Sequence, residues 1–457
     1  MEITSLAEES IPMLAFRRAR REVWVSDGGT FSWAQLGAAV EAVRRQCESA
    51  GVAPGEIVVT PGDSTFDTLA WLFGAAASGA IVAPLRWERL AELRGWKEFL
   101  EIGWRVWEGR IMRVREGATS LVAARLLDEL RLRGHPGLIL ATGGTTGIPK
   151  LVLHDLRSLL ATVPVKENPS RRMLPLMGFD HIGGLDMAWR ALAGRHVLVA
   201  PPVEINPVAV AEAIARHRVE VLPATPSFLN LLLLTGVHRT HDLSSLRVVP
   251  YGAEPMPPGL LARLRTVLPG VEFVQRFGTS ETGALPVREE GKGLVLRGNQ
   301  NGFAWKVVDG ELWVKSPACA LGYLSGDASR FKASGWFRTG DIAEQLPGGS
   351  IRVLGRREEL INVGGEKVLP SEVENVLMAH HLVADCRVGP EENAVIGQVV
   401  AAEIVWSGPE TDALAVKRVL HTYAAGLLAR HKLPAVVRLV TALDATRNLK
   451  KRRNFSA

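Results

Sequence analysis

Residues 138–155 read LILATGGTTGIPKLVLHD. An apolar run ends abruptly in Thr-Gly-Gly-Thr-Thr-Gly, and Pro149-Lys150 follow. Glycines let backbone amides come close to a phosphate, and threonine hydroxyls add donors. Lys150 adds a point charge. The stretch is a candidate phosphate cradle at the end of a strand. It is not the common nucleotide-binding P-loop, which needs Gly-Lys-Ser/Thr directly opening a helix. Here Pro149 precedes the lysine and Leu151 follows it. On composition alone, a plain turn between two strands stays open.

Working outward, short apolar strand patterns alternate with helical ones. IVVTPG reads as a strand, FDTLAWLFGAAASG as a helix and AIVAPL as a strand. Farther on, HVLVAPP, VEVLPATP, LRVVPYGAE and EFVQRFGTSE read as strands. Between them PVAVAEAIARHR, FLNLLLLTG and GLLARLRTVLPG read as helices. This alternation predicts an α/β fold with parallel sheets covered by helices. In such sheets ligands sit beyond the carboxyl ends of strands. Those ends carry TGGTTG, PATPSF, YGAEP and RFGTSE, so four polar loops are expected to converge on one cleft. Near residue 303 the pattern changes. FAWKVVDGELWVKSP and FRTGDIAEQLPGGSIRVLGR read as twisted antiparallel hairpins, the second turning at Gly348-Gly349. From about Glu358 a small α+β unit follows, ending with the helix DALAVKRVLHTYAAGLLARH and the strand AVVRLVTAL. A domain boundary is expected at 356/357.

The length, 457 residues, exceeds one ordinary core and agrees with two or more domains. Hydrophobic residues at 47% and charged residues at 22% are those of a globular protein, not a disordered one. Net charge is +6, a mild basic excess that fits a solvated surface or a polyanionic or acidic partner. No RNA- or DNA-binding module is present, so nucleic acid is not expected. Cys47, Cys319 and Cys386 are sparse and widely spaced, against a disulfide framework and against a zinc site. The start, MEITSLAEES, lacks the order of a signal peptide, and a cytoplasmic setting is expected. The longest apolar run, Leu69 to Leu85, is short for a membrane span and rich in Gly, Ala and Ser.

Four further stretches carry chemistry. In GTSET, Gly278 to Thr282, Glu281 sits among hydroxyls just past a strand. It is a candidate magnesium ligand, since Mg²⁺ takes one or two carboxylates plus phosphate oxygens. In GWFRTGD, Asp341 lies at a turn after a strand, where a carboxylate can accept both hydroxyls of a ribose. GRREELINVGGEKVLPSEVE holds Arg356, an acidic pair and a Gly-Gly turn. TRNLKKRRN is a basic tail. Each alone has a structural reading as a cap, a turn or a solvated end.

Together and in this order, these stretches resemble the adenylate-forming superfamily, which includes acyl- and aryl-CoA synthetases, nonribosomal peptide synthetase adenylation domains and luciferase. TGGTTGIPK is similar to its phosphate loop, YGAEPMPP to its adenine turn, and FGTSET to its Thr-Glu signature. GELWVKSPACALGYL, GWFRTGD, GRREELINVGGEKVLPSEVE and the tail match later motifs in order and spacing. The resemblance covers nearly the whole chain. It implies a large N-terminal domain, 1–356, of helix-covered parallel sheets plus a β-barrel-like subdomain. It also implies a small mobile α+β domain, 357–457, carrying the catalytic lysine.

The implied reaction makes an acyl-adenylate from a carboxylic acid and ATP, releases pyrophosphate, and passes the acyl group to a thiol. The thiol is that of CoA or of phosphopantetheine on an acidic acyl carrier protein. By the same resemblance Thr142, Thr145, Thr146 and Lys150 would hold phosphates. Gly252, Ala253 and Glu254 would flank the adenine, with Phe277 stacked on it. Ser280 would contact the α-phosphate, and Glu281 would hold Mg²⁺. Asp341 would take the ribose hydroxyls, with Arg356 nearby. Glu358 would be the hinge, and Gly364-Gly365 would line the thiol tunnel. Lys450 would be the catalytic lysine. His181, Phe228, Tyr251, Gly252 and Gly278 would form the acid pocket, with His181 beside the carboxylate.

Departures from the pattern exist. Gly143 stands where serine is common, Leu151 where glycine is usual, and Val363 where serine or lysine is common. Leu449 replaces the glycine before the lysine, so Lys451 becomes a rival to Lys450. Two other readings stay open: an adenylating enzyme with a non-thiol acceptor, and a catalytically impaired nucleotide-binding homologue.

Overall fold

The structure, a computed structural model, describes residues 21–86, 89, 91, 93–142, 150–163, 169–289, 294–296, 302–326, 328–347 and 350–443. The apolar run before the glycine loop forms the strand Gly137–Thr142. Leu138, Ile139, Leu140 and Ala141 are all buried, so neither face of the strand meets water. That is the environment of a sheet covered on both sides. The chain returns as Lys150–Asp155, antiparallel, with Thr142 opposite Lys150.

These strands belong to a seven-stranded sheet. Its centre is parallel: Gly137–Thr142, Ile81–Leu85, Ile57–Pro61 and Ile102–Trp107 lie side by side. Its margins are antiparallel, made by Lys150–Asp155 with Gly322–Tyr323 on one edge and by Arg110–Glu116 on the other. The expected parallel sheet is therefore the middle of a mixed one. Parallel pairing needs a long crossover, whereas Trp107 and Arg110 are joined by two residues and can pair only as a hairpin. The helices Trp33–Ala50 and Phe66–Ala77 pack beside this sheet. The first buries Trp33, Leu36, Val40, Val43 and Cys47, a stripe at helical spacing. Ser32 and Gln35 close its N-terminus as a capping box.

A second sheet contains Gly29–Ser32, Glu22–Ser26, Val197–Val199 and Arg172–Met173, and it continues toward the parallel pair Val248–Tyr251 and Glu272–Gln275. The expected strand VEVLPATP joins the two halves only through single bridges at Val221 and Ala224. Pro223 lies between them with no N–H to donate, so a continuous ladder cannot form there. Leu222 and Ala224 still donate to the carbonyls of Val248 and Pro250, at 3.1 and 3.0 Å. The helices Pro207–His217, Pro226–Leu234 and Pro258–Val267 pack on this half, and each has proline in its first turn. Their shared core includes Val210, Phe228, Leu232, Val249, Tyr251 and Leu264.

The region expected to be β-rich is a six-stranded antiparallel sheet. Its main hairpins are Ala304–Val308 with Glu311–Lys315, and Phe337–Gln345 with Ile351–Arg356. The Gly348-Gly349 turn lies outside the described residues. After Arg356 the chain makes one turn, Arg357–Glu359, and enters a five-stranded sheet with the helices Pro370–Leu377 and Ala413–Ala424. This unit has its own core around Ile361, Val373, Leu377, Val388, Ile404 and Leu420. The helix expected to run on through LLARH stops at Ala424, and Gly426 at φ +87° redirects the chain. Across to the large part, Asn230 Nδ2 donates to the Ala384 carbonyl at 3.3 Å. Among the described residues, no helix is long and apolar enough to cross a membrane.

Candidate active site

The hairpin that begins at Gly137 places both ends of the glycine loop side by side. Thr142 Oγ1 donates to the Lys150 carbonyl at 3.3 Å. Thr145 and Thr146 lie outside the described residues. The Lys150 ammonium sits 5.5 Å from the ring centroid of Tyr323. The Tyr323 hydroxyl in turn donates to Glu281 Oε1 at 2.7 Å. The candidate phosphate-loop lysine and the candidate metal carboxylate are thus two ends of one cluster, joined by a tyrosine.

The GTSET turn is tightly internally bonded. Thr279 Oγ1 accepts from the backbone N–H groups of Glu281 and Thr282, both at 3.2 Å. The Ala320 N–H donates to the Glu281 carbonyl at 2.7 Å. His154 Nε2 lies 2.7 Å from the Ser280 carbonyl, which makes that nitrogen the donor and fixes the tautomer. His154 is buried, and burial lowers its pKa, so the ring is neutral. Sequence reasoning gave roles to neither Tyr323 nor His154. Both lay within quoted motifs, and for His154 the signal was a polar residue in an unbroken apolar run: Leu151, Val152, Leu153 and His154 are all buried on a strand with no wet face.

The YGAEP turn follows the strand Val248–Tyr251. A Cβ on Gly252 would lie 2.5 Å from the Arg276 carbonyl oxygen, so only glycine fits there. Ala253 holds φ +68°, a left-handed conformation that costs a non-glycine residue about 1–2 kcal/mol. Such strain persists where the surroundings fix it, commonly at ligand sites. Glu254 Oε2 accepts from the backbone N–H and hydroxyl of Ser227, at 3.1 and 2.6 Å. Gly278 faces Ala284 across the short hairpin of Phe277–Thr279 and Gly283–Leu285. Phe277 is half-buried beside Leu285 and Trp305. Tyr251 and Phe228 are 2% and 1% exposed, so they lie in the core behind the turn and can shape a pocket only as backing.

His181 immediately precedes the helix Ile182–Ala193 and is half-buried. Its position is set by its neighbour. The Asp180 side chain is fully buried, 2.9 Å from Arg89 and 3.3 Å from Arg86, and its N–H donates to the Gly62 carbonyl. This anchor also escaped the sequence reading.

Asp341 lies opposite Arg356 in the antiparallel register, and Arg356 Nε is 2.8 Å from Asp341 Oδ1. Arg356 also donates to the Thr339 carbonyl at 3.1 Å. Among the described residues, the other carboxylate oxygen, Oδ2, is buried without a hydrogen-bond partner. Burial pushes the Asp341 carboxyl up to about 6, against the opposing pull of Arg356. A buried acceptor left unpaired costs about 1–3 kcal/mol, and a ligand hydroxyl would recover it. Glu358 is exposed in the turn just after Arg356, and Gly364-Gly365 form an exposed hairpin turn in the smaller unit. Lys450 and Lys451 lie outside the described residues.

For a metal, the protein offers little beyond Glu281. Among the described residues, no group of three His, Cys, Asp or Glu could hold an ion. One carboxylate fits Mg²⁺ shared with substrate phosphates and does not fit an all-protein cage.

Comparison with known proteins agrees with this geometry. Residues 131–324 match the AMP-binding enzyme family, and residues 372–450 match the AMP-binding enzyme C-terminal domain. The 2-succinylbenzoate–CoA ligase of Bacillus cytotoxicus is 30% identical over 69% of this chain and 68% of its own length. The chain belongs to the AMP-binding enzyme family. The indoleacetate–CoA ligase of Aromatoleum aromaticum is 27% identical over 91% of this chain and 90% of its own. An anthranilate CoA ligase solved with anthranoyl-AMP superposes with a TM-score of 0.80 at 18% identity, covering 99% of this chain and 95% of that one. At that identity the likeness is one of fold. As an AMP-binding enzyme the protein is an AMP-forming ligase, and its chemistry is ATP-dependent activation of an acid.

Proposed function

We propose that this AMP-binding enzyme converts an aromatic carboxylic acid to its CoA thioester. The substrate carboxylate oxygen attacks the α-phosphorus of ATP. The bond to the bridging oxygen of pyrophosphate breaks, and pyrophosphate leaves with that electron pair. The thiolate of CoA then attacks the acyl carbonyl, the bond to AMP breaks, and AMP leaves as its phosphate anion. The observation that carries this reading is Asp341 beside Arg356: a buried carboxylate oxygen without a donor, where the hydroxyls of a ribose would supply one. The named relatives, ligases of aromatic acids with CoA, support the choice of acid and acceptor.

The side chains do little covalent work. A carboxylate attacking a polyanion needs position and cancelled charge. Lys150 and the threonines of its loop would hold the β- and γ-phosphates, and Glu281 would hold Mg²⁺, which neutralises phosphate charge when bound. Tyr323 keeps the Glu281 carboxylate aimed. His181 would sit beside the acid carboxylate, and Lys450 would stabilise the α-phosphate as charge builds. The unit from 357 onward would turn about Glu358 between the two half-reactions, with Gly364-Gly365 meeting the thiol.

The test is carboxylate-dependent ATP–pyrophosphate exchange across aliphatic, hydroxylated and aromatic acids, with Lys450→Ala and Lys451→Ala alongside. Exchange with aromatic acids, falling about 10²–10³-fold in Lys450→Ala alone, is the expected result. Collapse in Lys451→Ala alone would mean that Leu449 has shifted the lysine register. ATP binding without exchange for any acid would overturn the ligase reading.

A further inference from the structure

The helix Pro226–Leu234 reads PSFLNLLLL, and Asn230 is a lone amide in an apolar run. Asn230 is 1% exposed, so both ends of its side chain need partners. Its oxygen accepts from Arg263 Nη2 at 3.1 Å, and its nitrogen donates to the Ala384 carbonyl at 3.3 Å. A guanidinium only donates and a carbonyl only accepts, so the amide stands this way round. Arg263 lies on the helix Pro258–Val267 of the large part, and Ala384 on the strand Val383–Asn393 of the small unit. Asn230 therefore spans the domain boundary, braced from behind by Arg263.

A second contact lies on the same helix as Arg263. One turn before it, Gly259 brings that helix against the backbone of the small unit. A Cβ there would lie 3.2 Å from the Met378 carbonyl oxygen and 3.5 Å from the Ala379 Cα. Both helices start at the turn expected to hold adenine. Ser227, in the first turn of one, bonds Glu254, and the other follows Pro257 directly. The Gly364-Gly365 turn, by contrast, is exposed. Among the described residues, a Cβ on Gly365 would meet nothing within 4 Å, and one on Gly364 would meet only Ile396 of the same unit. The turn expected to line the thiol tunnel thus stands clear of the large part while the Asn230 contact is made.

We propose that Asn230, braced by Arg263, is a latch that holds the small unit in the adenylate-forming arrangement and opens before the thiol step. The latch rests on the reading in which this unit turns between two half-reactions. Asn230 touches no substrate and is a positioning residue. Its hold is weak: one neutral hydrogen bond crosses the boundary, and Arg263 Nε behind it is buried without a partner among the described residues. Weakness suits a contact that is broken at each turnover.

The experiment times the two half-reactions separately in the full chain. Pyrophosphate exchange reads the first, and single-turnover transfer from bound adenylate to CoA reads the second. Asn230→Asp keeps a partner for Arg263 and puts an acceptor where Ala384 needs a donor. The ratio of the first rate to the second is expected to fall roughly 10-fold. Gly259→Ala wedges the same boundary without touching Asn230, and it should move the ratio the same way by less. A melting curve confirms that both variants fold, and hydrogen exchange at residues 378–385 should quicken in both. A ratio unchanged or raised in Asn230→Asp would overturn the proposal. So would half-reactions slowed equally, the mark of loosened packing alone. If no acid supports exchange, or no thiol takes the acyl group, the two-step reading itself has failed. Hydrogen exchange then decides the latch: quickening at 378–385 with the rest of the small unit unchanged keeps it, and unchanged exchange rejects it.

Discussion

Two carboxylates proposed to meet the nucleotide are held in opposite ways. Glu281 receives a hydrogen bond from the Tyr323 hydroxyl at 2.7 Å and stands in a turn whose backbone groups are largely satisfied. Asp341 pairs with Arg356 through one oxygen and keeps the other buried and bare. The first is finished by the protein. The second is left for a ligand to finish. A neutral donor leaves Glu281 with its full charge for a cation. The bare oxygen of Asp341 favours a partner that donates hydrogen bonds. The contrast supports the proposal of metal and phosphate chemistry at one corner and hydroxyl recognition at the other.

Substitution at each corner should therefore fail differently. Glu281→Gln is expected to lower pyrophosphate exchange by about 10²–10³-fold while AMP, measured without Mg²⁺, still binds. Equal loss of AMP binding and exchange would erase the distinction. Asp341→Asn should do the reverse, costing about 1.5–3 kcal/mol, or roughly 10- to 100-fold in AMP affinity. Its pH dependence adds a second check. The folded Asp341 carboxyl titrates at about 6, against 3.8 in the ordinary case, because burial disfavours the anion. Between those values the folded state holds a proton that the unfolded chain has lost. The group's contribution to stability thus falls as pH rises from about 4 to about 6. Ribose hydroxyls prefer the anion, so AMP affinity should run the other way, climbing to a plateau above about pH 6. Calorimetry from pH 5 to 8 would show both slopes in the wild type and neither in Asp341→Asn.

How much of this was legible beforehand depends on whether a residue's role is local. The GTSET turn announced itself, because a turn past a strand end needs particular residue types at fixed spacing. So did the alternation that makes the parallel centre of the first sheet. Asp341, expected at a turn, sits instead inside the strand Phe337–Gln345, paired with Arg356. What sequence missed were partners brought from far along the chain. Tyr323 reaches Glu281 from 42 residues away, and His154 reaches Ser280 across 126. Asp180 meets Arg89 across 91. No window pattern carries such pairings, since sheet order sets them. The antiparallel margins and the interruption at Pro223 were missed for a related reason: strand patterns give existence, while neighbours and connection lengths give direction. Phe228 shows the opposite limit, a residue expected at the acid pocket whose side chain is sealed in the core.

The smallest expected effect tests why Glu281 was called finished. Tyr323→Phe removes only the hydroxyl. The ring keeps its contacts, 5.0 Å from Phe331 and 5.5 Å from the Lys150 ammonium, so the fold should lose little. Burial and the Glu281 charge both raise the Tyr323 pKa, so the wild-type hydroxyl donates throughout the working pH range. Without it the Glu281 carboxylate keeps its charge and loses its aim. Partners that orient a metal ligand typically matter by 10–100-fold, and here only one of several restraints on the turn is lost. The expectation is therefore a Mg²⁺ requirement raised by about tenfold, with the exchange rate recovering at saturating Mg²⁺. A titration of exchange against Mg²⁺ at fixed ATP reads this directly. An unchanged Mg²⁺ requirement beside a lowered melting temperature would make Tyr323 a packing residue, and the two corners would then differ only in burial.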